Sequence, residues 1–273
     1  MSSTMAEAVA VPETRSAVTW LLNVGHAVDH MFLLIFATAV ATMAAEFGRV
    51  RWEDLMPLGA GAFVMFGLGS IPAGRLGDLW GRRQMMLVFF AGMGLSALLV
   101  AATQTGWQLA VALTLLGTFA SIYHPVGIPM LVQHSRKPGA TIGLNGLSGN
   151  LGIAAAALVT GYLVKWFGWR MAFAVPGLLC LGLGLAFAWL CPKETEPPSK
   201  RAGKAKVSLN EAQLARAFLV MTAAAATGGL LFNMTTNANT QLMAERFRGV
   251  LEDPALLGIL LSVVYAIASL AQV

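Results

Sequence analysis

GRLGDLWGRRQMM, residues Gly74 to Met86, sets three arginines and an aspartate between two strongly apolar runs. Charge gathered into so short a stretch of an oily chain marks a boundary between buried segments, so the runs on either side decide the fold. Downstream, no Asp, Glu, Lys or Arg occurs between Arg83 and Arg136. That leaves room for two bilayer crossings of about 20 residues each, separated by TQTGW at 103–107.

The whole chain shows the same contrast. Of its 273 residues 57% are hydrophobic and 11% charged, with a mean hydropathy of +0.69, whereas a soluble domain keeps about a quarter of its residues charged. The runs are continuously apolar, not built from segments of about ten residues with alternating polarity, which specifies helices and excludes barrel strands. The expectation is an all-α, polytopic membrane protein with eight spans, near residues 16–45, 55–74, 84–103, 107–133, 140–164, 170–191, 214–243 and 254–273. The opening MSSTMAEAVAVPETRS lacks the basic region and short apolar core of a cleaved signal peptide, so the first span is expected to be retained. Cys180 and Cys191 stand on one expected helix about 16 Å of rise apart, beyond disulfide reach.

Basic residues favour the cytoplasmic side of short loops. With the N-terminus inside, that side holds twelve of the eighteen: Arg15, Arg75, Arg82, Arg83, Arg136, Lys137, Lys193, Lys200, Arg201, Lys204, Lys206 and Arg216. The net charge of +5 is then a consequence of topology and implies no nucleic-acid partner. The run KETEPPSKRAGKAK, 193–206, reads as a solvated cytoplasmic linker. It divides a six-helix half, 1–191, from the start of a second half, 214–273, with the linker spanning 192–213.

An internal repeat lies at an offset of 87 residues. GRLGDLWGRR and GYLVKWFGWR match at Gly74 and Gly161, Leu76 and Leu163, Gly81 and Gly168, and Arg83 and Arg170, with Trp80 facing Phe167. Each copy follows the second helix of a triplet, and three intervening spans put the copies on opposite membrane sides, as an inverted three-helix repeat requires.

GRLGDLWGRR also resembles the loop signature of the major facilitator superfamily, G-x-L-x-D-x-x-G-R-[KR], between helices two and three. Gly74, Leu76, Asp78, Gly81, Arg82 and Arg83 match, and Leu79 stands where the family usually has a basic residue. The resemblance implies twelve helices, so eight spans read as a fragment of a longer protein, and it implies a central cavity lined by the first helix of each triplet. In the loop, an aspartate near a helix N-terminus is stabilised by the macrodipole and by nearby arginines, so Asp78 reads as a conformational latch. The alternative is that Arg75, Arg82 and Arg83 only hold the topology, with Asp78 balancing their charge.

Inside the membrane the strongest functional signal is VGHAVDHMF, 24–32. His26, Asp29 and His30 fall at i, i+3 and i+4 on one helical face, and Asp29 is the only one of the thirteen acids placed within a span. An ionisable group there is a functional hypothesis by default, and proton binding is the expected role. In SIYHPVGIPM, 121–130, Pro125 and Pro129 each remove a backbone hydrogen bond beside Tyr123 and His124. Span seven carries FNMTTNANTQ, with Asn233, Thr235, Thr236, Asn237, Asn239 and Gln241. In span five a ladder of glycines from Gly139 to Gly152 reads as close helix packing, with Asn145 and Asn150 expected at the cavity.

The candidate cavity residues are His26, Asp29, His30, Tyr123, His124, Asn150, Asn233 and Asn237. For Asp29, a satisfied polar contact and metal ligation remain as alternatives to proton or substrate coupling. HAVDH, YHP and the glycine-rich span together resemble the fosmidomycin-resistance branch of the superfamily. The reading is a proton-coupled transporter of the inner membrane, acting as a monomer in the lipid bilayer and exporting a small organic molecule by alternating access. The runner-up is a proton-driven importer of a small metabolite or metal complex. No metal and no cofactor is assigned, and an enzyme is not expected, since no H-E-x-x-H pattern accompanies His26, His30 and His124.

Overall fold

The computed structural model describes residues 16–133, 135–200 and 210–272, apart from the side chains of Ala225, Thr235 and Gln272. Arg15, Arg201, Lys204 and Lys206 of the orientation argument, most of the basic linker, and the Thr235 side chain lie outside the described residues. Within the described residues the chain is helical, with no strand: α1 (Ser16–Glu46), α2 (Ala60–Trp80), α3 (Arg82–Ala102), α4 (Gly106–Ala120), a turn of π-helix (Tyr123–Gly127), α5 (Ile128–Val132), α6 (Pro138–Phe167), α7 (Trp169–Leu190), α8 (Glu211–Thr236), α9 (Asn239–Arg246) and α10 (Pro254–Ser269). Seven helical stretches are long and apolar enough to cross a membrane. The eighth expected span is α10, 16 residues long. The seventh breaks at Asn237 and Ala238 into α8 and α9.

Local chemistry places the ends. TQTGW stops α3 and caps α4, with the Thr105 side chain accepting from the Gln108 N–H and the Gln108 side chain accepting from the Thr105 N–H. The stretch read as a loop between spans two and three shrinks to one residue. α2 continues past Pro72 and through GRLGDLW, and Gly81 turns the chain with φ +114° while its N–H bonds to Gly77 O at 3.2 Å. Asp78 therefore lies in the last turn of α2, 3.8 Å from Arg82, and not at a helix N-terminus. The acid at the start of α3 is Glu194, which accepts from the Arg83 N–H at 3.0 Å.

The inverted repeat is present in the packing. Among the six helices of the two triplets, α1 packs on α6 where α2 packs on α4, and α3 packs on α7 across the pseudo-axis. Side chains obey the offset of 87 as well. Gly168 turns the chain with φ +85°, as Gly81 does. Arg82 donates to Gln133 Oε1 at 3.0 Å, and at the positions 87 further on and 87 further back Trp169 donates to Glu46 Oε2 at 2.6 Å. Arg83, at the start of α3, donates to Ala188 O and Cys191 O at the end of α7; Arg170, at the start of α7, donates to Thr103 O at the end of α3. Each cation thus satisfies carbonyls that a helix terminus leaves unpaired.

α1 sits at the centre, buried along most of its length. Its contact with α6 depends on a residue without a side chain: a Cβ on Gly152 would lie 2.0 Å from Ala27 O. Outward-facing Trp189, Leu185 and Phe218 are exposed, as suits a lipid-facing surface, where the backbone must be satisfied within helices.

Candidate substrate and proton site

The two prolines in SIYHPVGIPM break the helical ladder as expected, and the break takes the form of a π-helical turn at Tyr123–Gly127. Consecutive residues of that turn, Tyr123 and His124, both reach α1. The Tyr123 hydroxyl donates to Leu22 O at 2.7 Å, and its ring stacks on His26 at 4.7 Å with an 8° interplanar angle. His124 places Nε2 3.2 Å from His26 Nε2, and His30 Nε2 lies 3.1 Å from the same atom. A sequence separation of 98 residues is thus closed onto one point near the middle of α1.

Asp29 lies behind this cluster. Its side chain is wholly buried, with Oδ2 3.7 Å from His124 Nδ1, and neither carboxyl oxygen has a hydrogen-bond partner among the described residues. It is also the one buried acid among them. A carboxylate held there is costly unless a proton or a neighbouring positive charge neutralises it.

The asparagine that joins the cluster from α6 is Asn145. It donates to Asn23 Oδ1 and to the Tyr123 hydroxyl, both at 2.9 Å, and its carbonyl lies 2.7 Å from His26 Nδ1. Asn150 is half-buried and forms no hydrogen bond to the cluster among the described residues. Sequence reasoning missed Asn23, whose signal was its place one turn before His26 on the same face of α1.

His124 also forms part of the wall of a cavity of about 580 Å³, bounded by Phe63, Phe66 and Ser70 of α2, Leu33 of α1, and Phe232 and Asn233 of α8. The His124 side chain is 37% exposed while Asp29 behind it is 0% exposed, so the histidine stands between cavity and acid. Asn233 faces this space and Asn237 a smaller apolar one. Asn239 donates to the Tyr265 hydroxyl, and Gln241 to Ala37 O, tying this region to α10 and α1.

Of the opening signature, Arg82 donates to Pro129 O at 3.1 Å as well as to Gln133, so it grips α5 just past the π turn. Asp78 touches that arginine from an exposed position. Gly74 faces Pro125, where a Cβ would come within 3.2 Å.

A helix array with two inverted triplets, a polar cluster at the depth of their first helices and a cavity beside it has counterparts among known proteins. The model of the Major Facilitator Superfamily matches residues 22–273, and the chain belongs to that family. The gallate transporter of Pseudomonas putida is 26% identical over 200 residues, covering 70% of this chain and 43% of that protein. The tetracenomycin C resistance and export protein of Streptomyces glaucescens is 27% identical over 194 residues, covering 66% of this chain and 35% of that protein. The chain thus spans less than half the length of these relatives. In fold it is similar to the crystal structure of a bacterial homologue of the human lysosomal transporter Spinster in an inward-facing, unoccupied conformation, with a TM-score of 0.64 at 13% identity over 94% of this chain and 73% of that one.

Proposed function

We propose that the protein is a proton-coupled secondary transporter that exports a small organic molecule, with Asp29 as the proton carrier and the cavity beside His124 as the substrate site. The observation that carries this reading is a buried carboxyl without a hydrogen-bond partner among the described residues, 3.7 Å from the imidazole of His124, which lines the cavity. Protonation removes the charge that Asp29 otherwise presents to His124 and the π turn, which changes the energy of one packing arrangement relative to another. A cavity of about 580 Å³ with phenylalanine walls and a few polar groups suits a small organic solute. One relative is named for tetracenomycin C resistance and export. In this reading the excess of basic residues favours a cytoplasmic N-terminus and a cytoplasmic 192–213 linker between the halves 1–191 and 214–273, with the protein working as a monomer in the inner membrane. In this scheme Arg82, held by Asp78 and gripping α5, is the conformational latch.

The test is the full-length gene product in proteoliposomes, with tetracenomycin C and gallate as trial solutes and an imposed pH gradient. Wild type is expected to concentrate solute; Asp29→Asn, which keeps size but cannot titrate, should lose uphill movement and retain exchange. Uphill movement in the mutant refutes the assignment. The runner-up reading, proton-driven uptake of a small metabolite, requires the opposite direction of flux in the same vesicles.

A further inference from the structure

The three histidines carry more than the proton scheme uses. His26 Nδ1 lies 2.7 Å from the carbonyl oxygen of Asn145, which can only accept, so Nδ1 holds the proton. In the neutral ring Nε2 is then a bare lone pair. It faces two further ring nitrogens, His30 Nε2 at 3.1 Å and His124 Nε2 at 3.2 Å. One lone pair accepts one N–H well, so two imidazoles aimed at it are one too many for hydrogen bonding alone.

We infer that His26, His30 and His124 form a binding site for a divalent late first-row transition ion of the Zn²⁺ or Co²⁺ kind. A tetrahedral ion with nitrogens at about 2.0–2.1 Å sets them about 3.3–3.4 Å apart. The two shorter separations, 3.1 and 3.2 Å, are within about 0.3 Å of that edge, and one ligand atom from each of the three side chains lies within 4.8 Å of the others. Imidazole nitrogen suits zinc, cobalt, nickel and copper, and not calcium or magnesium.

The surroundings fit such an ion. The Asn145 carbonyl fixes the tautomer and ring angle of His26, the outer contact that metal-binding histidines usually make. Asp29 stands behind the far nitrogen of His124 at 3.7 Å, so a divalent charge on the triad gives the buried acid its missing counter-charge through the imidazole. Three protein ligands leave a fourth position open. His124 borders the cavity, so water or an oxygen of a chelating organic anion can reach that position.

The experiment uses the full chain, purified in detergent on a tag without histidines and stripped of metal, then titrated with Co²⁺ alone. One Co²⁺ per chain is expected, with the strong visible absorption of a four- or five-coordinate ion, displaced by Zn²⁺. His26→Gln, His30→Gln and His124→Gln should each weaken binding by about 100-fold or more, and Asp29→Asn by about 10- to 100-fold with the stoichiometry kept. Wild-type protein that takes up no stoichiometric Co²⁺, or binding unchanged by all three glutamine variants, overturns the site. X-ray absorption on the wild-type complex is a second measurement, independent of whether the variants fold. Three imidazole nitrogens support the assignment, and fewer refute it. No flux enters these readouts, so failure here leaves the proton reading standing, and failure there leaves this one.

Discussion

Asn145 and Asn150 show what a single position on an apolar helix does and does not reveal. Five residues turn an α-helix by about 140°, so the two cannot share a face. Asn145 falls in register with Gly149 and Gly152, and that register is the one pressed on α1: a Cβ on Gly149 would lie 2.7 Å from the His26 ring, and one on Gly152 2.0 Å from Ala27 O. The second contact is with backbone, which cannot swing aside. Gly152→Ala should therefore destabilise the protein by about 1–3 kcal/mol, as overpacking in a tight interior does. Gly182 of α7 has open space around it, so Gly182→Ala should leave stability unchanged or raise it by about 0.5–1 kcal/mol. Thermal unfolding of both variants in detergent checks the contrast, and equal losses would remove the distinction.

Helix ends were less legible than helix interiors. Span two was expected to finish at residue 74 because charge begins there, yet charged residues at a membrane surface do not interrupt the hydrogen-bond ladder, and α2 continues to Trp80. What ends it is Gly81, and the same device recurs at Gly168. The repeat was visible at four positions in ten, but the reciprocity of Arg83 and Arg170 was not, since each caps a helix about a hundred or seventy residues away in sequence. Each arginine donates to backbone carbonyls, and hydrogen bonds from charged donors contribute about 1.5–3 kcal/mol. Arg83→Gln and Arg170→Gln should each lower stability by about that amount. The two sites lie at opposite ends of α3, so the double variant should show the sum within about 0.5 kcal/mol. A large interaction energy in that double-mutant cycle would mean the ends communicate, contrary to independent caps.

At the scale of the molecule, α10 joins the six-helix unit by packing along α6. Gly161 and Gly258 let α6 and α10 touch, and Lys165 pairs with Asp253, whose Oδ1 also accepts from the Ala255 N–H at the start of α10. The Lys165 hydrogen bond, and then the backbone N–H groups, hold the Asp253 carboxyl below the usual aspartate value. A depressed folded value means that the pair's contribution is complete above the unfolded value of about 3.9 and is lost as pH falls through the folded one. Asp253→Asn should thus lower the unfolding temperature at pH 7, and the gap to wild type should shrink as pH falls below about 3.9. A gap that persists in acid would assign the effect to the helix cap and not to the ion pair.

The sequence by itself determined the class of fold, because burial in a bilayer demands continuous apolar runs and satisfied backbone, and both are properties of local composition. It also determined the inverted repeat and the singular position of Asp29, which need only counting and spacing. The site needed the tertiary structure. Which face of α6 meets α1, and therefore why Asn145 and not Asn150 enters the cluster, depends on where a glycine allows two backbones to approach. That His26, His30 and His124 meet at 3.1 and 3.2 Å depends on a π turn that brings His124 toward α1, a displacement of a fraction of a turn that proline can provoke but not aim. Distances of that size follow from packing, which one chain's residue order leaves open until distant helices are laid against each other.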